Sequence, residues 1–227
     1  MSWSKVFKIN KNMKRALNEQ IQDLKCTPMR VITTTQSYTP EKTGLYKVIC
    51  VGAGGNGGAS CSTNVMGASG GGGGGVAIKI LTLSKNSTYN ITVGTTASFA
   101  YDTNTIFTAT GGASGSYGSG GVGGSASGGD YNYTGTSGTG VAGSLVIPMP
   151  GSVGVSITEL IRTPSPMLSV VQATSSYTVQ LPYGDSLLNY GGGGSGVYFY
   201  NSNSDRSEKY MSGKPASVII IPLEMEE

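Results

Sequence analysis

Hydrophobic and polar positions repeat along this chain with two different periods. In the first stretch, Ile9, Met13, Leu17, Ile21 and Leu24 recur at intervals of four, four, four and three, which sets them along one helical stripe. Lys11, Lys14, Arg15 and Asn18 fall on other faces. Asn10 or Asn12 suits the N-cap. Cys26-Thr27-Pro28 ends the pattern, because the residue before a proline is pushed out of helical geometry. The spacing predicts a short amphipathic helix within residues 1–28. A helix this short is marginal alone, so it must pack on its own domain, on copies of itself or on a partner.

Beyond residue 28 the pattern is that of strands. Expected strands are Arg30 to Tyr38, Leu45 to Val51, Val76 to Leu83, Thr88 to Val93 and Thr105 to Thr110. In Val76 to Leu83, Val76, Ile78, Ile80 and Thr82 share one face and the remaining residues the other, and this arm pairs with Thr88 to Val93 in an expected hairpin around Ser84-Lys85-Asn86-Ser87. Later candidates are Leu145–Ile147, Gly154–Arg162, Met167–Gln172, Tyr177–Leu181, Gly196–Tyr200 and Ser217–Pro222. Many short strands with glycine-rich connections give an all-β fold class, a glycine-rich β-sandwich preceded by the N-terminal helix. The domain reading is 1–28 as an N-terminal helix and 29–227 as the sandwich, with 144–190 as inserted strands or an extra subdomain.

Composition changes this picture in one respect. Of 37 glycines, 12 lie in 52–75, 14 in 111–143 and 5 in 191–196. Two readings compete for these runs. One is flexible loops at an end of the sandwich. The other is polyproline-II-like rods packed side by side, because chains without Cβ atoms can approach and exchange backbone hydrogen bonds. Glycine loses the most entropy on ordering, so close packing is needed to offset that cost.

Charge is sparse and uneven. Residues 1–47 carry nine basic and three acidic side chains, a balance of +6 within a chain whose net charge is +3. The total is too small to argue for nucleic acid, and the basic start reads first as a solvated helix face. The three cysteines, Cys26, Cys50 and Cys61, fit no common metal spacing and are expected to be reduced thiols. The chain has no histidine, which removes the usual general base and the commonest metal ligand. No cofactor or metal is expected. No apolar run is long enough to span a bilayer, and Met1-Ser2-Trp3-Ser4-Lys5 lacks the apolar core of a signal peptide. The expectation is synthesis in a cytoplasm without membrane insertion, any journey outward using another route such as assembly into a particle.

The strand Val48-Ile49-Cys50-Val51 runs into Gly52-Ala53-Gly54-Gly55-Asn56-Gly57, a literal dinucleotide fingerprint. Such a site needs a helix next and an acidic residue after the second strand, and neither follows. In so glycine-rich a chain the match reads as coincidence. Asp130, Glu159, Asp185, Asp205 and Glu208 are scattered carboxylates, and a glycosidase would need two of them brought together. They read first as solvated surface, so no catalytic residue is assigned and the chain is expected not to be an enzyme.

Tyrosines carry the stronger signal. Tyr117, Tyr131 and Tyr133 lie in a glycine- and serine-rich stretch with Asp130 beside them, and Tyr198 and Tyr200 follow the last glycine run. Exposed on loops, such rings supply rigid contact area with hydroxyls for hydrogen bonds. Packed over glycines, they would instead fill the edges of a glycine array. Both readings stay open.

A strand entering a glycine run, a second run before a strand, Tyr89-Asn90-Ile91-Thr92-Val93-Gly94, Thr108-Ala109-Thr110-Gly111-Gly112 and a last apolar strand at Ser217–Pro222 follow one another here. This order resembles the glycine-rich domain of phage tail fibres and adhesins, over about 40–130 and the last thirty or so residues. Trp3-Ser4-Lys5-Val6-Phe7-Lys8-Ile9-Asn10 resembles the start of short fibres from clostridial phages and phage-tail-like bacteriocins. The resemblance implies a homotrimeric receptor-binding protein of a virion or tail-like particle. It implies tail or baseplate attachment through Trp3, Phe7, Ile9, Met13, Leu17, Ile21 and Leu24. It implies contact with a bacterial surface glycan or surface protein through Tyr117, Asp130, Tyr131, Tyr133, Tyr198 and Tyr200. The alternative is a structural fibre or baseplate component without receptor contact. The proline-bearing segment 144–190 departs from the pattern.

Overall fold

The computed structural model describes residues 29–62, 65–142, 150–152, 162–163, 169–174, 177–181, 186–187, 190–194, 196–200 and 206–225. The predicted helix, and with it Trp3, Phe7, Ile9, Met13, Leu17, Ile21 and Leu24, lies outside the described residues. What is described is all-β and antiparallel.

The strands are β1 (Arg30–Ile32), β2 (Gln36–Tyr38), β3 (Gly44–Val51), β4 (Gly58–Ser62), β5 (Val65–Ser69), β6 (Val76–Leu83), β7 (Tyr89–Val93), β8 (Ala97–Tyr101) and β9 (Asn104–Ala109). They continue as β10 (Ala126–Ser127), β11 (Tyr131–Tyr133), β12 (Gly140–Ala142), β13 (Arg162–Thr163), β14 (Ser169–Thr174), β15 (Tyr177–Leu181), β16 (Ser186–Leu187), β17 (Gly196–Tyr200), β18 (Arg206–Tyr210) and β19 (Ser217–Met225). Two five-stranded sheets, ordered β1-β19-β3-β6-β11 and β10-β9-β8-β7-β2, face each other as a sandwich. Within the expected insertion, β13 pairs with β16 and β14 with β15.

Alternation along β3 fixes the core. Tyr46, Val48 and Cys50 point inward against Ile91, Phe99 and Phe107 of the second sheet. Phe99 stacks on Phe107 at 5.5 Å and on Tyr89 at 5.2 Å, so rings on three adjacent strands form one ladder. Burying each such side chain is worth roughly 1.5–3 kcal/mol. Ile49 and Val51 point the other way, with Val76, Ile78 and Ile219, and they too are buried. Both faces of β3 are therefore covered from Val48 to Val51, which is why that end reads as an unbroken apolar run, whereas Leu45 and Lys47 stay partly exposed.

Two expectations are corrected. Arg30 to Tyr38 is not one strand: the chain leaves the first sheet after Ile32 and joins the second at Gln36, pairing β1 with β19 and β2 with β7. The arms around Ser84–Ser87 are not a hairpin either. β6 pairs with β3 and β11, whereas β7 pairs with β2 and β8, so this turn arches between the sheets. Leu83 caps the core beneath it, and the backbone of Ser84 donates to the Tyr89 hydroxyl at 3.1 Å.

Candidate functional site

At one end of the sandwich the strands run on into glycine segments. β3 continues as 52–57, β9 as 110–115 and β11 as 135–139, while 70–75 feeds β6, 120–125 feeds β10 and 211–215 feeds β19. Residues 150–152 and 190–194 complete the group among the described residues.

These segments form a hydrogen-bonded bundle whose repeat is three residues. Gly70 and Gly73 donate to Thr139 and Thr136, Gly71 and Gly74 to Gly194 and Gly191, and Gly72 and Gly75 to Ala113 and Thr110. The N–H groups of 70–75 thus turn in order toward three neighbours. Their carbonyls turn toward three more: Gly121 and Gly124 donate to Gly70 and Gly73, Gly151 to Gly71, and Gly55 and Gly52 to Gly72 and Gly75. A turn every three residues is the repeat of polyproline II, and six neighbours around one rod is hexagonal packing. Of the two readings of the glycine runs, rods side by side is the one found.

Glycine is required here by proximity. None of Gly52, Gly54, Gly55 or the rod 70–75 has positive φ. A Cβ on Gly52 would instead fall on the carbonyl of Thr110, one on Gly54 on that of Gly192, and one on Gly72 on that of Val122. The dinucleotide-like run is therefore a rod inside the bundle, followed by a strand and not a helix.

The outer end of the bundle carries the turns. Segment 52–57 leads through β4 and β5 back into 70–75, and β5 pairs with both β4 and β12. Segments 110–115 and 120–125 are joined by a tight turn in which Ser116 and Ser119 exchange both backbone hydrogen bonds at 3.0 Å. Gly118 takes φ +64 there, a conformation that side-chain-bearing residues adopt rarely. Tyr117, at the apex, is 44% exposed and lays its ring against Gly67 of β5. Segment 190–194 continues into β17, paired with β18, and this hairpin lies against β4. Tyr198 and Tyr200 are on β17.

Asp130, Tyr131 and Tyr133 are elsewhere. β11 is an edge strand of the sandwich, pairing Tyr131 with Ile78 and Tyr133 with Val76. The Asp130 carboxylate takes the N–H of Ile80 at 2.8 Å and the ammonium of Lys79 at 3.3 Å. The backbone bond from Ile80 holds its carboxyl below the usual range, opposed by burial and aided by Lys79. Asp130 therefore pins the end of β11. Tyr131 is 53% exposed, and Tyr133 packs on the outward face of the first sheet. The six tyrosine and aspartate positions do not converge on one patch: Tyr117 is on the bundle's turns, and Asp130, Tyr131 and Tyr133 line the sheet edge.

A model of a glycine-rich domain matches residues 32–218. The chain belongs to this glycine-rich domain family. The match runs from the last residue of β1 into β19, so the glycine-rich domain takes in both the sandwich and the bundle. No curated protein matches the chain.

Sequence reading missed two features of the glycine-rich domain. One is a hollow of about 260 Å³ on the outward face of the first sheet, lined by Lys47, Ile78, Ile80, Tyr131 and Tyr133. Lys47 lies mid-strand in an apolar run, and nothing local in the sequence marks its surroundings. The other is a gap of about 390 Å³ between β1 and β2, rimmed by the Arg30–Glu41 ion pair at 2.7 Å. Burial, with Tyr46 beside it, pushes the Tyr38 hydroxyl up to about 12 there.

Proposed function

We propose that the chain is a non-enzymatic receptor-binding protein of a phage or phage-tail-like particle, attaching that particle to a bacterial surface. One observation carries the reading. The bundle extends the sandwich in one direction and its turns gather at the outer end, whereas β1 runs toward the bundle, so the chain enters from the opposite end. A rigid stalk with entry at one end and turns at the other suits attachment through residues 1–28 and display of β4, β5, the 116–119 turn, β17 and β18. A homotrimer on the particle would convert weak single contacts into avidity.

Backbone bonds fix every rod, so the turns are held with little freedom left to lose on binding. The test is adsorption of fluorescently labelled, folded protein to a panel of clostridial and other Gram-positive cells. Strain-selective adsorption supports the reading. Folded protein that adsorbs to no strain, yet assembles with a tail or baseplate partner, would replace it with a structural role.

A further inference from the structure

The hollow on the outward face of the first sheet contains a charge without a counterpart. Lys47 is on β3, the middle strand, between Ile221 of β19 and Ile80 of β6 in the register, with Ile49 two residues on. It is only partly exposed. Among the described residues, nothing accepts a hydrogen bond from its ammonium or forms an ion pair with it. Glu224, opposite Leu45, makes no ion pair with it, and the Asp130 carboxylate, bonded to the N–H of Ile80, pairs with Lys79 instead. The ammonium is thus open to a charge-assisted bond from an anionic partner.

The rest of the hollow suits one small ring. Tyr131 and Tyr133, two apart on β11, put both side chains on the same face as Lys47. Ile78 and Ile80 form an aliphatic floor, and Ile80 stays 43% exposed. The volume, about 260 Å³, lies just under the roughly 300 Å³ lower end of small-molecule pockets. Phenol rings offer a flat apolar surface and a hydroxyl, which matches a pyranose with its C–H face and rim of hydroxyls. The ammonium adds a demand for negative charge.

We propose that this hollow binds an anionic sugar residue, a uronic acid or similarly charged pyranose, its carboxylate on Lys47 and its ring against Tyr131 and Tyr133. The proposal rests on the receptor-binding reading for the source of the sugar, a bacterial surface glycan, and puts a second contact on the sandwich away from the turns.

The experiment is saturation-transfer NMR on the full chain with glucuronate, glucose and a short glutamate peptide as separate probes. Glucuronate should bind at least tenfold more tightly than glucose or the peptide. Lys47→Met should weaken it tenfold or more, Lys47→Arg should retain it, and Tyr131→Ala should weaken it. Lys47→Met removes an unpaired charge from an apolar face, so its thermal midpoint should equal or exceed that of the wild type, which separates lost binding from lost folding. Equal binding of glucose and glucuronate, tighter binding of the peptide, or a Lys47→Met variant that binds normally would overturn the proposal. Cell adsorption is read in parallel. Strain-selective adsorption without glucuronate binding sinks the sugar pocket and leaves the fibre reading standing. Glucuronate binding without adsorption to any strain does the reverse.

Discussion

The backbone N–H of Gly72 donates to the carbonyl of Ala113 at 2.9 Å, in the middle of a rod surrounded on six sides. Gly72 also accepts from Gly55 at 2.8 Å, and a Cβ on it would strike the Val122 carbonyl. The struck group is backbone on a rod bonded to its own neighbours, so it cannot swing aside. Gly72→Ala should destabilise the fold by about 2–4 kcal/mol, from overpacking and loss of one or two hydrogen bonds. Gly94, at the β7–β8 turn, has nothing within 4 Å of a Cβ and no positive φ. Gly94→Ala should stay within about 0.5 kcal/mol of the parent, or gain slightly through the unfolded chain. Denaturant midpoints of the two variants check the contrast, and equal losses would refute hexagonal close packing as the reason for glycine.

Tyr117 separates display from scaffolding. Its backbone belongs to a two-residue turn closed by Ser116 and Ser119, and its ring rests on Gly67 without entering the core. Tyr117→Ala should keep the thermal midpoint within a few degrees, since surface truncations cost little. If the bundle's turns read the receptor, the same variant should lower cell adsorption at least tenfold. Phe99→Ala, inside the sandwich, should instead cost about 3–5 kcal/mol and lose adsorption only by unfolding.

The sequence pattern reached the sandwich through its alternating strands and failed where alternation was weak. β3, β6, β9 and β19 were legible because aliphatic residues mark their faces. β8, Ala97-Ser98-Phe99-Ala100-Tyr101, was not expected, since small residues hide its period and only Phe99 marks the inward face. The Ser84–Ser87 turn looks the same whether the chain folds back within one sheet or arches to the next, and the partners of β6 and β7 decide that from far away in sequence. The glycine runs announced close approach but not its geometry. Six neighbours around 70–75 follow from bonds to residues between 52 and 194, which no local pattern encodes. Lys47 was invisible for a related reason: its isolation is set by Ile80, Ile221, Tyr131 and Tyr133 on three other strands.

Cys50 should behave as a buried hydrophobe. It is fully buried against the opposite sheet, and burial pushes its thiol well above the usual range, which leaves almost no thiolate at neutral pH. In a Cys26→Ser, Cys61→Ser background, labelling by a thiol reagent should proceed no faster than global unfolding and should respond steeply to denaturant. Rapid labelling in native buffer would show that the sandwich opens locally at β3.

Asp130 ties the edge strand to pH. Its folded-state pKa is lowered first by the Ile80 N–H and then by Lys79, so the stability it adds is present above the unfolded carboxylate value, near 4, and is lost as pH falls through the folded value. The group is largely exposed, so solvent screens the effect and it stays local to β11. After correction for intrinsic exchange rates, protection of the Ile80 amide should drop as pH falls below the unfolded carboxylate value, near 4. Asp130→Asn should remove that step, because the neutral amide still accepts the Ile80 bond but no longer titrates. Ile49 and Ile219, on the inner strands β3 and β19, should keep their protection throughout. If Ile80 is equally protected at pH 2 and pH 6 in the wild type, the carboxylate does not hold β11 in place, and Tyr131 and Tyr133 owe their positions to packing on the sheet alone.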